Sequence, residues 1–137
     1  MYLVMECMSC GLSWKMMLGR REVFRKVFAS FDASKVACFG EADIRRALHT
    51  RGMIRLERKI RGMTANARAF VKVRAEYGSF DRYIWGFTQG RSLIYPAHQS
   101  REVTHNELSA RVANDLKARG FCYVGSTIVY SFCRLLA

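Results

Sequence analysis

Apolar residues in this chain recur three and four apart between helix-capping signals, and no alternating stretch of useful length interrupts them. An amphipathic helix needs that spacing and a strand cannot use it. Tyr2–Ser9 reads as the end of a buried helix, broken by Gly11. Ser13 can cap a helix over 14–28 that shows Leu18, Phe24, Val27 and Phe28 on its apolar face. Asp32 can cap a short turn holding Val36 and Ala37, and Glu41–His49 reads as a further helix with Ile44 and Leu48 four apart. Beyond a turn at Arg51-Gly52-Met53, the spacing of Ile60, Met63, Ala67, Phe70 and Val71 predicts a long basic helix over 55–77. Ser79 can cap a helix over 80–87, and 88–103, with Pro96, reads as the loop of the domain. Thr104-His105-Asn106-Glu107 has the form of a capping box that opens a helix with Leu108, Val112 and Leu116, ending at Gly120. Ser126 or Thr127 starts a last helix with Ile128, Phe132 and Leu135 on one face. Phe121–Val124, the nearest approach to a strand, is short and reads as a connection. The expectation is an all-α fold, one domain over residues 1–137.

Half of the 137 residues are hydrophobic, which is ample for one core. Lys and Arg number 23 against 11 Asp and Glu, a formal charge of +12, and that excess calls for a polyanionic partner. The charge is concentrated. Ten Lys/Arg side chains lie between Arg45 and Arg74 with one acid, Glu57, among them. Such a footprint suits nucleic acid, although an isolated basic run is more often a solvated helix face. No run approaches the roughly 20 apolar residues of a membrane span. The opening apolar stretch is short, is broken by Glu6 and lacks a basic leader, so no membrane partner and a cytoplasmic location are expected. Cys7, Cys10, Cys38, Cys122 and Cys133 form an odd, scattered set that fits reduced thiols. Cys7-x-x-Cys10 has no second pair, and His49, His98 and His105 are dispersed, so no metal is expected. A Cys/His pair or a Ser/His/Asp triad has no support in the spacing.

Three features carry chemistry. Glu6 lies among Leu3, Val4, Met5, Cys7 and Met8. A buried acid there would be desolvated and its pKa raised, as in functional carboxylates; the plain alternative is an exposed acid on a frayed helix. Eight residues on, Trp14 can be a core side chain or a stacking platform for a cationic ring, worth roughly 0.5–2 kcal/mol. The turn in RGMIRLERK, Arg51–Lys59, can be an ordinary connection. Alternatively its amides face a phosphate at a helix N-terminus, flanked by Arg55, Arg58 and Lys59.

These segments together resemble one family. LVMECMSCGLSW is similar to the active-site segment of 3-methyladenine DNA glycosylase I, and GMIRLERKIRGMTANARAF matches that family's hairpin region almost position for position. FDASKVACFGEADIRRAL, Trp85–Phe87 and LKARGFCYVGSTIVYSF extend the likeness over nearly the whole chain. The resemblance implies an all-α helical domain of the helix-hairpin-helix DNA glycosylase type, truncated at both ends relative to the family. It implies monofunctional hydrolysis of the N-glycosidic bond of 3-alkylated adenine in duplex DNA, as base excision repair, by a monomer. Carried over residue by residue, Glu6 is the pocket and catalytic carboxylate, and Trp14 the stacking tryptophan. Leu12 is the side chain that wedges into the duplex, and Gly52, Met53 and Ile54 form the hairpin. The family's structural zinc is held by Cys and His that lie beyond both ends of this chain, so no cofactor is expected within it. Ser9-Cys10 replaces the family's Gln-Ala. Competing readings are a non-catalytic DNA-binding remnant of the same fold, and a basic helical protein for RNA or anionic lipid.

Overall fold

The computed structural model describes residues 2–9, 12–91 and 105–136. Among them every regular element is helical, as the spacing predicts. In chain order these are α1 (Tyr2–Met8), α2 (Trp14–Gly19), α3 (Arg21–Val27), a 3₁₀ turn (Ala29–Phe31), α4 (Ala33–Ala37) and α5 (Glu41–His49). There follow α6 (Glu57–Tyr77), α7 (Phe80–Gly86), α8 (Glu107–Ala118) and α9 (Ser126–Leu136). Helix α6 is the axis: α4, α5 and α7 pack on it, while α1 and α8 pack on α9. Ile60, Met63, Ala67 and Val73 of α6 join Phe24, Phe28, Leu116 and Val129 in one core. No helix among the described residues is long and apolar enough to cross a membrane.

The caps explain most boundaries. Ser13 accepts from the Met16 amide at 3.2 Å, Asp32 from those of Ser34 and Lys35 at 3.0 and 3.3 Å, and Ser79 from that of Arg82 at 3.1 Å. Each satisfies an amide that the first helical turn leaves without an acceptor. Three expectations change. The helix over 14–28 divides at Arg20, which leaves helical geometry at φ −102°, ψ 6°. The break re-aims the first half, and Leu18, expected on the apolar face, is exposed. Helix α6 starts at Glu57 because Leu56 is extended and forms its N-cap. The capping box sits two residues later than Thr104. Asn106 accepts from the Ser109 amide at 2.7 Å, and Ser109 Oγ accepts from the Asn106 amide at 2.9 Å. Thr104 and most of the expected loop, residues 92–103, lie outside the described residues.

At the far end of α6 the Arg119 guanidinium lies 5.0 Å from the Tyr77 ring and 5.1 Å from that of Tyr83. It donates to Asp115 and Glu76, both at 2.8 Å, and the Tyr83 hydroxyl donates to Asp115 at 2.6 Å. Burial first, and then the Asp115 carboxylate, hold the Tyr83 phenol well above its ordinary range. One cation thus joins α6, α7 and α8.

Near the other end, α6 is approached closely by Tyr123. A Cβ on Gly62 would lie 2.7 Å from Tyr123 Cε2 and 3.1 Å from Cδ2. Alanine is favoured over glycine in a helix interior by about 0.8–1.0 kcal/mol. Forcing a methyl group into a closed contact costs about 1–3 kcal/mol. Gly62→Ala is therefore expected to destabilise the protein. Denaturant unfolding checks this, and a midpoint above wild type would show that Tyr123 yields freely.

Candidate active site and nucleic-acid interface

Helix α1 carries Glu6 between Met5, Cys7 and Met8, all fully buried, and Glu6 itself is 8 % exposed. Burial pushes its carboxyl above the ordinary value of 4.5, and no charged neighbour contributes to the shift. The helix ends just beyond it. The Ser9 hydroxyl donates to the Glu6 carbonyl at 2.7 Å, and the Leu12 amide donates to the Ser9 carbonyl at 2.6 Å. This turn leads through the Ser13 cap to Trp14, the first residue of α2. Trp14 and Leu12 are half-buried and rest against the core. Glu6 and Trp14 therefore stand on consecutive helices, with the Leu12 amide bonded back to the Ser9 carbonyl between them. Cys10 and Gly11 lie outside the described residues.

The hairpin between α5 and α6 is built from the inside. Met53 and Ile54 are buried and anchor it in the core. Gly52 is exposed at φ +84°, where a side chain would be strained. Among the described residues, the amides of Gly52, Ile54 and Arg55 donate to no protein acceptor. Leu56 offers no side-chain acceptor to the first amides of α6. A row of unengaged N–H groups at a helix N-terminus is an anion site in waiting.

Pairing thins the basic footprint. Arg46 bonds Asp43 at 2.9 Å, and Arg61 bonds Glu41 at 2.7 Å and Glu57 at 2.6 Å. Arg68 donates to the Ala37 carbonyl at 3.0 Å and Arg74 to Ser34 Oγ at 2.8 Å. Arg45, Arg51, Arg55, Arg58 and Lys72 are exposed and have no such partner among the described residues, and three of the five flank the hairpin. Lys59 is a correction. Expected beside Arg55 and Arg58 as a phosphate contact, it is only 6 % exposed, and its ammonium donates to the Met8 carbonyl at 2.9 Å. A buried cation on a carbonyl cannot reach solvent phosphate. The missed signal is positional: 59, 63, 66 and 70 share one helix face, which is inward.

Two bonds draw these pieces together. Lys59, one turn into α6, holds the end of the helix that bears Glu6. Arg20, at the end of α2, donates to the Gly52 carbonyl at 3.1 Å. The hairpin is thus fastened to both sides of the Glu6–Trp14 segment. A separate groove of about 580 Å³, walled by Leu3, Val4, Phe31, Phe70, Phe80 and Phe132, includes neither Glu6 nor Trp14.

Among the described residues no three His, Cys, Asp or Glu side chains gather closely enough to hold a metal ion.

The comparisons with known proteins point to one family. The family model described as methyladenine glycosylase matches residues 1–136. The chain is 36% identical over 129 residues to DNA-3-methyladenine glycosylase 1 of Escherichia coli, covering 93% of this chain and 69% of that protein. It is 32% identical over 129 residues to the DNA-3-methyladenine glycosylase of Haemophilus influenzae, covering 93% and 70%. The structure of 3-methyladenine DNA glycosylase I from Staphylococcus aureus, which describes 3-methyladenine recognition, superposes with a TM-score of 0.88. That match has 29% identity and covers 96% of this chain and 70% of that one. The family model over nearly the whole chain and the two curated relatives agree, and the chain belongs to the methyladenine glycosylase family.

Proposed function

We infer that the chain is a DNA-3-methyladenine glycosylase, acting as a monomer on alkylated bases in duplex DNA in the cytoplasm. The observation that carries the reading is the fastening of the phosphate-ready hairpin to the segment bearing Glu6 and Trp14. The hairpin grips the backbone, and the same rigid unit presents a buried acid and an indole to the displaced base. Extruding the base costs a few kcal/mol, and Leu12, on the turn between the two, is placed to fill the gap it leaves. A 3-alkylated adenine carries a positive charge. It suits a carboxylate that burial makes reluctant to ionise, because the arriving cation favours the charged form. The Trp14 face adds stacking and cation–π attraction. In the chemical step the glycosidic C1′–N9 bond breaks and its electron pair stays on the base, which leaves neutral. Water adds to C1′ and releases a proton. The cationic base is already a good leaving group, so selectivity rests mainly on recognition, and the DNA strand is left uncut.

Glu6→Gln is expected to abolish or sharply lower release of 3-methyladenine while duplex binding is spared. Trp14→Ala should weaken binding of the free base by roughly 1–3 kcal/mol. The Glu6 variant also has a stability signature. The folded state holds the Glu6 proton at pH values where the unfolded chain has lost it. Wild-type stability therefore declines as pH rises from 4.5 through the raised folded value. Glu6→Gln lacks this loss, so its advantage in Tm should be absent below that range and reach a plateau above it. Release at the wild-type rate would remove Glu6 from the reaction. Duplex binding by wild type with no release at all would favour a non-catalytic DNA-binding remnant.

Each neutralised phosphate contributes roughly −0.9 to the log–log salt slope of binding. Arg55→Ala with Arg58→Ala should make that slope shallower by up to about 2 and weaken all duplex sequences alike. A salt series giving an unchanged slope would move the DNA surface elsewhere, to Lys15, Arg21 and Lys26.

We take the chain to work without a zinc ion of its own, because its described donors lack a suitable cluster. Elemental analysis that finds one zinc per chain would overturn this.

A further inference from the structure

We propose that Lys59 is a positioning residue for Glu6: its buried ammonium, bonded to the Met8 carbonyl, fixes the end of the helix that carries the acid. This rests on the reading of Glu6 given above. Helix α1 has seven residues and its last carbonyls have no helical N–H donor following them, so its end depends on donors from elsewhere. Ser9 supplies one locally, on the Glu6 carbonyl. Lys59 supplies another, from a residue 51 positions away in sequence. The bond comes from the rigid axis helix rather than from a loop.

The ammonium is itself held in place. It lies 6.0 Å from the centre of the Tyr123 ring, and that ring closes on the Gly62 backbone. One turn further along α6, the buried Asn66 amide donates to the Cys122 carbonyl at 2.9 Å and lies 4.0 Å from the sulfur of Cys7, next to Glu6. The face of α6 bearing Lys59, Gly62 and Asn66 thus forms a polar seam under α1. Within that seam the Lys59 bond reaches the α1 backbone beyond Glu6. Because Lys59 is one turn past the hairpin amides, DNA seated on the hairpin bears on the same turn of helix that sets the acid.

Two variants and two readouts decide the matter. Lys59→Met removes the donor and keeps most of the length; Lys59→Arg keeps a donor. The first readout needs no turnover: the Glu6 carboxyl carbon is followed by NMR through an acid titration. In wild type the inflection should lie above 4.5, because burial raises it. In Lys59→Met the end of α1 loosens, water reaches Glu6, and the inflection should fall back toward 4.5; in Lys59→Arg it should stay near wild type. The second readout is release of 3-methyladenine from alkylated duplex. For Lys59→Met, kcat should drop roughly ten- to hundredfold with KM for DNA unchanged, and Lys59→Arg should recover most of the loss. Wild-type titration in both variants, equal displacement in both, or failure of Lys59→Met to fold would each overturn the proposal and make Lys59 a packing residue only. A wild-type protein that releases no base would sink the glycosylase reading, and the titration would still decide the role of Lys59.

Discussion

A single buried cation, the Lys59 ammonium on the Met8 carbonyl, determines how the working parts of this protein meet. A hydrogen bond from a charged group is worth about 1.5–3 kcal/mol net. Its greater consequence is geometric. Helix α6 carries the hairpin at its N-terminus and the core along its length, so anything bonded to its first turns shares its frame. Helix α1 is too short to hold a fixed direction by its own hydrogen bonds. Packing on α9 sets its depth, and the bond from Lys59 fixes where it ends.

The Arg20 break serves the same arrangement from the other side. A continuous helix over 14–28 would run straight past the hairpin. At Arg20 the chain turns, and the freed guanidinium reaches the Gly52 carbonyl, the residue whose left-handed backbone makes the turn possible. The helix bearing Glu6 is therefore bonded to the first turn of α6, and the end of the helix bearing Trp14 to the hairpin before it. Distances in a site built this way vary with packing of the axis helix, not with loop motion.

Much of this was legible in the sequence. Ser13, Asp32 and Ser79 stand directly before apolar-periodic runs and do cap them, because a hydroxyl or carboxylate at that place has one obvious donor to satisfy. The apolar neighbours of Glu6 raised burial as one of two readings, the family resemblance favoured it, and Glu6 is buried. The errors share one cause, which is that local sequence carries two readings and tertiary contact selects. Thr104-x-x-Glu107 and Asn106-x-x-Ser109 are overlapping boxes, and the structure uses the second. Leu18 looks apolar-faced until the break at Arg20 rotates its helix outward. Lys59 sits in a run of basic residues, where charge suggests solvent and only the inward stripe of 63, 66 and 70 argues otherwise.

The burial of Glu6 and the openness of the hairpin amides look like opposite defects, since one hides a charge and the other leaves donors without acceptors. Burying the acid is costly in the protein alone, whereas the exposed amides stay available to a stronger acceptor than water. In the proposed function both are answered by the same event, because DNA brings an anion to the amides and a flipped alkylated base brings a cation to the acid. An undamaged base brings no cation, so the hairpin is satisfied while Glu6 stays desolvated and uncompensated. Discrimination then does not require that normal DNA be bound weakly. It requires only that the base pocket and the backbone grip belong to one rigid unit, so that a base without the charge cannot relax the acid by shifting α1. The bonds from Lys59 and Arg20 supply that rigidity.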